Sequence, residues 1–143
     1  MKIKLTLAEI SSLFDELNGQ IIDTKTGERG KGVLAHKLSI RAKYILNNEL
    51  NKPLLDIVKS YEESRIELFK ELGVEQDGQY VVAPENQQQL FDKIMELNAI
   101  EKSIDVPKLN AGEFYNIETE NYFPILLDKV LTKEIEETPV IAL

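Results

Sequence analysis

Between Val33 and Leu72 the apolar residues recur at Leu34, Leu38, Ala42 and Ile45, then at Leu50, Leu54, Ile57, Tyr61, Leu68 and Leu72. Within each run the steps are three, four or seven, the spacing of one face of an α-helix. A single helix over this stretch would be about 60 Å long at 1.5 Å per residue, longer than a chain of 143 residues readily covers. A break is therefore expected, and Asn47-Asn48-Glu49-Leu50-Asn51-Lys52-Pro53 offers one. Pro53 has no N–H for the Glu49 carbonyl and its ring crowds that turn. The pattern predicts a kink or brief interruption between helices at 33–51 and 53–72, the second opening on Pro53 and ending at Gly73.

The flanking segments read as shorter elements. Lys2-Ile3-Lys4-Leu5-Thr6-Leu7 alternates polar and apolar and predicts a short half-buried strand. Thr6 and Glu9 form a Thr-x-x-Glu capping box. Leu7, Ile10, Leu13, Phe14 and Leu17 then mark an amphipathic helix over 7–18, with Gly19 at the place of a left-handed cap. Residues 23–32, polar and rich in glycine, are expected to be a flexible loop. Asp77-Gly78 between β-forming residues is a hairpin signal. Pro84 opens another helix, with Leu90, Phe91, Ile94, Leu97, Ile100 or Glu101, and Ile104 as its buried face. Residues 104–109 read as extended chain, since the residue before Pro107 avoids the α region. A last helix is expected over about 124–136, after an irregular stretch anchored by Phe114, Tyr115 and Ile117. No repeat or linker divides the chain. One domain over 1–143 is expected, mainly α: a helical hairpin or small bundle with a short β-hairpin and an N-terminal strand.

Catalytic chemistry finds little footing in these residues. The chain has no Cys and a single His, so thiolate nucleophiles, Cys-based metal sites and paired-His ligands are excluded. His36 stands without a Ser or Asp motif and reads as a surface or interface residue. Asp77-Gly78 lacks the closely spaced acids of a calcium loop, and no Glu-x-x-His occurs. Arg29 and Lys31, in a glycine-rich run before a helix, form a candidate anion-binding pair. Lys31 is followed by Gly32 rather than Ser or Thr, so the run is not a phosphate-binding P-loop. No cofactor, metal or enzymatic activity is expected. No apolar run approaches the roughly 20 residues that a bilayer span requires, and the basic-apolar-small pattern of a signal peptide is absent.

Charge is the more telling property. The net charge is −8, which disfavours duplex nucleic acid as a general partner. Residues 1–60 carry 10 basic and 7 acidic side chains, whereas residues 61–143 carry 7 basic and 18 acidic ones. The net charges of these parts are +3 and −11. Two differently solvated faces of one fold are the plain reading; a dipolar molecule that docks head to tail is the sharper one. Glu63, Glu67 and Glu71 lie off the apolar stripe at like-charge spacings of four, which mildly destabilise an isolated helix. They are candidates to meet a basic partner, and Lys37, Arg41 and Lys43 are candidates for that partner in the same or a neighbouring chain. Arg65, one turn after Tyr61, reads as structural. Val140, Ile141 and Leu143, in an apolar tail after Pro139, are candidates to complete a partner's groove or sheet edge.

The opening Met1-Lys-Ile-Lys-Leu-Thr-Leu-Ala-Glu, the run Tyr61-Glu-Glu-Ser-Arg65-Ile-Glu-Leu-Phe-Lys-Glu-Leu-Gly73 and Asp77-Gly78-Gln-Tyr80 come in a distinctive order. With the helix that follows, Ile104-Asp-Val106-Pro107-Lys-Leu109 and Pro124-Ile-Leu-Leu, the chain resembles small, mostly uncharacterised helical proteins encoded by tailed phages and prophages. It departs from them in its glycine-rich 27–32 segment and apolar tail. The resemblance implies a non-enzymatic accessory or assembly role in the bacterial host cytoplasm or on the virion, with protein partners and self-association. The alternative is an inhibitor or sequestering protein directed at a host defence component.

Overall fold

The computed structural model describes residues 2–36 and 38–109, together with Ile125, Lys129 and Val130. The chain begins with strand β1 (Lys2–Thr6), which runs directly into helix α1 (Leu7–Asn18). Thr6 and Glu9 make the reciprocal capping box: the Thr6 hydroxyl accepts the Glu9 N–H at 3.1 Å, and the Glu9 carboxylate accepts the Thr6 N–H at 3.1 Å. Two of the unsatisfied donors at the helix start are thereby paired. Leu7, Ile10, Leu13, Phe14 and Leu17 are all buried, as their spacing requires. Gly19 follows with φ 92° and ψ 151°, a positive φ but not the left-handed helical cap that the sequence implied. A second constraint acts at the same place. A Cβ on Gly19 would lie 1.9 Å from the Gly30 carbonyl oxygen, so the chain passes too closely for any side chain.

That close approach belongs to a hairpin where a flexible loop was expected. Strands β2 (Ile21–Asp23) and β3 (Glu28–Arg29) pair antiparallel, and the Gly30 N–H donates to the Gln20 carbonyl at 2.8 Å. The Asp23 carboxylate turns the tip by accepting the Lys25 N–H at 2.9 Å. Arg29 fixes the base of the hairpin: it pairs with Asp15 at 2.9 Å, donates to the Gly19 carbonyl at 2.6 Å and lies over the Phe14 ring. Polar composition alone concealed this arrangement, because the anchoring contacts reach back to α1.

The brief interruption predicted before Pro53 is present as a π-helical turn, and a full break in the helix lies earlier. A 3-10 turn (Val33–Ala35) ends at His36, and helix α2 (Ile40–Ile45) begins only after Ser39, whose hydroxyl caps the Ala42 N–H at 3.0 Å. From there the backbone stays helical through a π-helical turn (Leu46–Asn51) into α3 (Lys52–Leu72). In the π turn the Lys52 N–H donates to the Asn47 carbonyl, five residues back. The wider turn relieves the clash that the Pro53 ring would impose on an α-helical Glu49 carbonyl. It also realigns the buried stripe. Ala42, Leu46, Leu50 and Leu54 are each four residues apart and at most 1% exposed. In an α-helix each four-residue step overshoots a full turn by about 40°, and the looser π winding turns it back. Leu46 takes the buried place that the periodicity had given to Ile45, which is half-buried.

Two asparagines hold this turn against α1. The Asn18 Nδ2 donates to the Asn51 Oδ1 at 2.7 Å, and the Asn51 Nδ2 returns a bond to the Asn18 Oδ1 at 3.2 Å. Asn18 also donates to the Phe14 carbonyl at 2.9 Å.

Gly73 ends α3 in extended backbone, φ −118°. Its reason is space, since a Cβ there would lie 2.7 Å from the Phe69 carbonyl oxygen. Strands β4 (Gly73–Gln76) and β5 (Gln79–Val82) form the expected hairpin, with Asp77 at φ 52° and Gly78 at φ 78°, the two positive angles of a type I′ turn. Helix α4 (Pro84–Asn98) returns beside α3. It ends sooner than the apolar spacing implied: Ile104 lies in strand β6 (Glu101–Asp105), which pairs antiparallel with β1. Phe91, expected inside, is exposed. Leu5, Leu17, Leu50, Ile104, Val106, Leu109 and Val130 join one core. The fold is mainly α with three small two-stranded sheets among the described residues. The last helix expected at 124–136 and the anchors Phe114, Tyr115 and Ile117 lie outside them, except for Ile125, Lys129 and Val130.

The amide pair and the capping box each generate a measurement. Asn51→Ala removes both bonds between it and the half-buried Asn18 and is expected to cost about 0.5–1.5 kcal/mol in urea unfolding; an N18A/N51A double-mutant cycle should return a coupling of about 1 kcal/mol. The Glu9 carboxyl is held below its ordinary value of 4.5, first by the hydrogen bond from Lys129 and then by the Thr6 N–H, against the opposing effect of burial. A lowered folded-state pKa contributes stability above pH 4.5 that is lost as pH falls through the folded value. Glu9→Gln should therefore lower stability at neutral pH and flatten the acid limb of a stability–pH curve below about pH 4.5.

Candidate functional site

Helices α3 and α4 run antiparallel, and their pairing leaves a groove on one side. Ser64, Glu67, Leu68 and Glu71 of α3 lie at spacings of three, four and seven, so they form one stripe; Lys93, Glu96 and Leu97 of α4 face them, joined by Ile100 just beyond the end of α4. Together they line a groove of about 460 Å³. Leu68, Leu97 and Ile100 supply an apolar floor, and Ile100 is 49% exposed. Glu67, Glu71 and Glu96 stand on the rim with Lys93 as its one cation, so the groove is acidic. Lys93 bridges the two helices at one end, 3.1 Å from Glu71. At the other end the Tyr61 hydroxyl donates to the Asn98 side-chain oxygen, while Arg65 lies over the Tyr61 ring and pairs with Glu62 at 3.3 Å. These two contacts bracket the groove.

A second surface lies on α2. Ile40, Tyr44 and Asn47 project from the side opposite Ala42 and Leu46, Lys43 stands at the border of that side, and all four are exposed. Ile40 is 90% and Tyr44 66% exposed, unusual values for two apolar side chains one turn apart. Arg41 is exposed beside them. This face is apolar with a basic border.

The structure separates the groups that the charge pattern had matched. Lys43 and Glu63 lie on one continuous helical stretch, twenty residues and roughly 30 Å apart, so Arg41 and Lys43 do not meet Glu63, Glu67 or Glu71 within the chain. The internal partner of Glu71 is Lys93 instead. Glu63 and Glu67 are exposed. Arg29 is engaged by Asp15 and the Gly19 carbonyl, and Lys31 is exposed nearby. Lys37, Val140, Ile141 and Leu143 lie outside the described residues. Periodicity missed Lys93, Glu96, Ile40 and Tyr44. The last two were legible as an apolar pair four apart, off the main stripe; Lys93 and Glu96 needed the pairing of α3 with α4, which no local spacing encodes.

Among the described residues no group of three or more acids or histidines is placed to hold a metal ion, and no helix is long and apolar enough to cross a membrane. The bridging pair is a surface interaction, with Lys93 and Glu71 side chains 35% and 59% exposed. Lys93→Met is accordingly expected to change unfolding free energy by less than about 1 kcal/mol, measured by urea titration, and to make the groove more acidic without altering the fold. Compared with protein-family models, curated proteins and solved structures, the chain shows no significant match.

Proposed function

We propose that this chain is a non-enzymatic interaction protein of a phage or prophage, with an accessory or assembly role, built on a small bundle of helices. It works in the bacterial host cytoplasm or on the assembling particle. The observation that carries the reading is the α3–α4 groove: an apolar floor of Leu68, Leu97 and Ile100 under a rim of Glu67, Glu71 and Glu96. An amphipathic helix with an apolar face and flanking Lys or Arg fits such a surface, the apolar face giving affinity and the charges giving orientation. The resemblance to phage-encoded helical proteins supports the context, and the α2 face supplies a second surface for contact. The −11 net charge of residues 61–143 favours a second reading, in which the acidic face occupies a basic surface of a host defence component.

Affinity purification of the tagged chain from infected or lysogenic cells, followed by mass spectrometry, tests the proposal. Phage structural proteins are expected to be retained by the native chain and lost by Glu67→Lys combined with Glu96→Lys, two exposed substitutions. Identical retention by both, or retention of neither phage nor defence proteins, overturns it. Groove-dependent retention of a defence component, with improved plating on a defended host, selects the second reading.

A further inference from the structure

Resting on the reading of the α3–α4 groove as a docking site for a basic, apolar helix, we infer that this helix is α2 of a second copy of the chain, so that copies join head to tail. The two surfaces match in chemistry. Tyr44 and Ile40 are large apolar side chains, 66% and 90% exposed, and the groove floor offers Leu68, Leu97 and Ile100. Lys43, at the border of this face, meets a rim of three exposed acids, Glu67, Glu71 and Glu96. The match cannot be made within one molecule. From Ile40 to Leu72 the chain is one helical run, which holds Tyr44 roughly 30 Å from Ser64. A complementary pair held apart on one rigid element is satisfied only between molecules.

The contact is heterologous: each copy offers its α2 face to one neighbour and its groove to another. Such an interface closes into a ring when the rotation permits and otherwise extends as an open chain. One short helix in one groove buries less surface than a standard stable interface, so association rises with protein concentration. Salt weakens it, because the matching charges are exposed and screened over about 10 Å at 0.1 M.

Analytical ultracentrifugation of the full-length chain at low ionic strength tests the inference. The native chain should exceed 16.3 kDa increasingly with concentration and return toward it in high salt. K43S/Y44S, which removes the α2 face, and E67K/E96K, which reverses the rim, should each remain monomeric while keeping native circular dichroism and cooperative unfolding. Mixed in equal amounts they retain one intact face and one intact groove, so they should form a one-to-one dimer and nothing larger. A native chain that stays monomeric up to about 1 mM overturns the inference. So does a mixture that stays monomeric, dimers formed by either variant alone, or association that vanishes when residues 139–143 are deleted, since the tail is then the occupant. A monomeric native chain whose groove still retains phage proteins overturns the second-copy partner alone; one that retains nothing through the groove overturns the docking reading too.

Discussion

The reciprocal amide pair between Asn18 and Asn51 is the contact on which the layout of the molecule depends. It ties the last residue of α1 to the last residue of the π turn. A π turn is ordinarily less favourable than the α-helix it interrupts. Here three returns offset that cost: space for the Pro53 ring, a straight line of Leu46, Leu50 and Leu54 against α1, and two amides satisfied by each other. With the turn secured, α2 and α3 become one rod. That rod fixes the distance between the basic face and the acidic groove.

The elements written in local chemistry were legible beforehand. The Thr6–Glu9 box, the five buried residues of α1, the Asp77-Gly78 hairpin and Pro84 at the start of α4 each depend on residues within one or two turns. Where distant residues decide, local patterns misled. Residues 23–32 look like a loop until Arg29 is seen to reach Asp15. Glu101-Lys102-Ser103 continues a helical pattern, yet pairing with β1 draws it into a strand, with Lys2 set opposite Asp105 and Thr6 opposite Glu101. Pro53 marked the place of the interruption, but no local pattern told that it takes the form of a π turn.

The candidate site was half legible for the same reason. Glu67 and Glu71 stood out as like charges at a spacing that a lone helix does not favour. The proper counterpart of that row, Lys93 and Glu96 across the groove, is invisible until two helices are paired. Charge resolved along the chain thus located the acidic surface but not its boundary. The exposed pair Ile40 and Tyr44 was equally present in the sequence, overshadowed by the stronger stripe on the other side of α2.

The pairing of β1 with β6 has a consequence for the order in which the chain can be made. Lys2 through Thr6 leave the ribosome about a hundred residues before their partners Glu101 through Asp105. At synthesis rates of about 5–20 residues per second, that is a wait on the order of 5–20 s. During it Leu5, at 1% exposure in the finished fold, has no sheet to enter. The α1 helix and the rod can form early from near neighbours, but the sheet that closes the core waits for its second strand, as long-range pairings do. The earlier-made strand of this pair is therefore among the last parts of the fold to be settled.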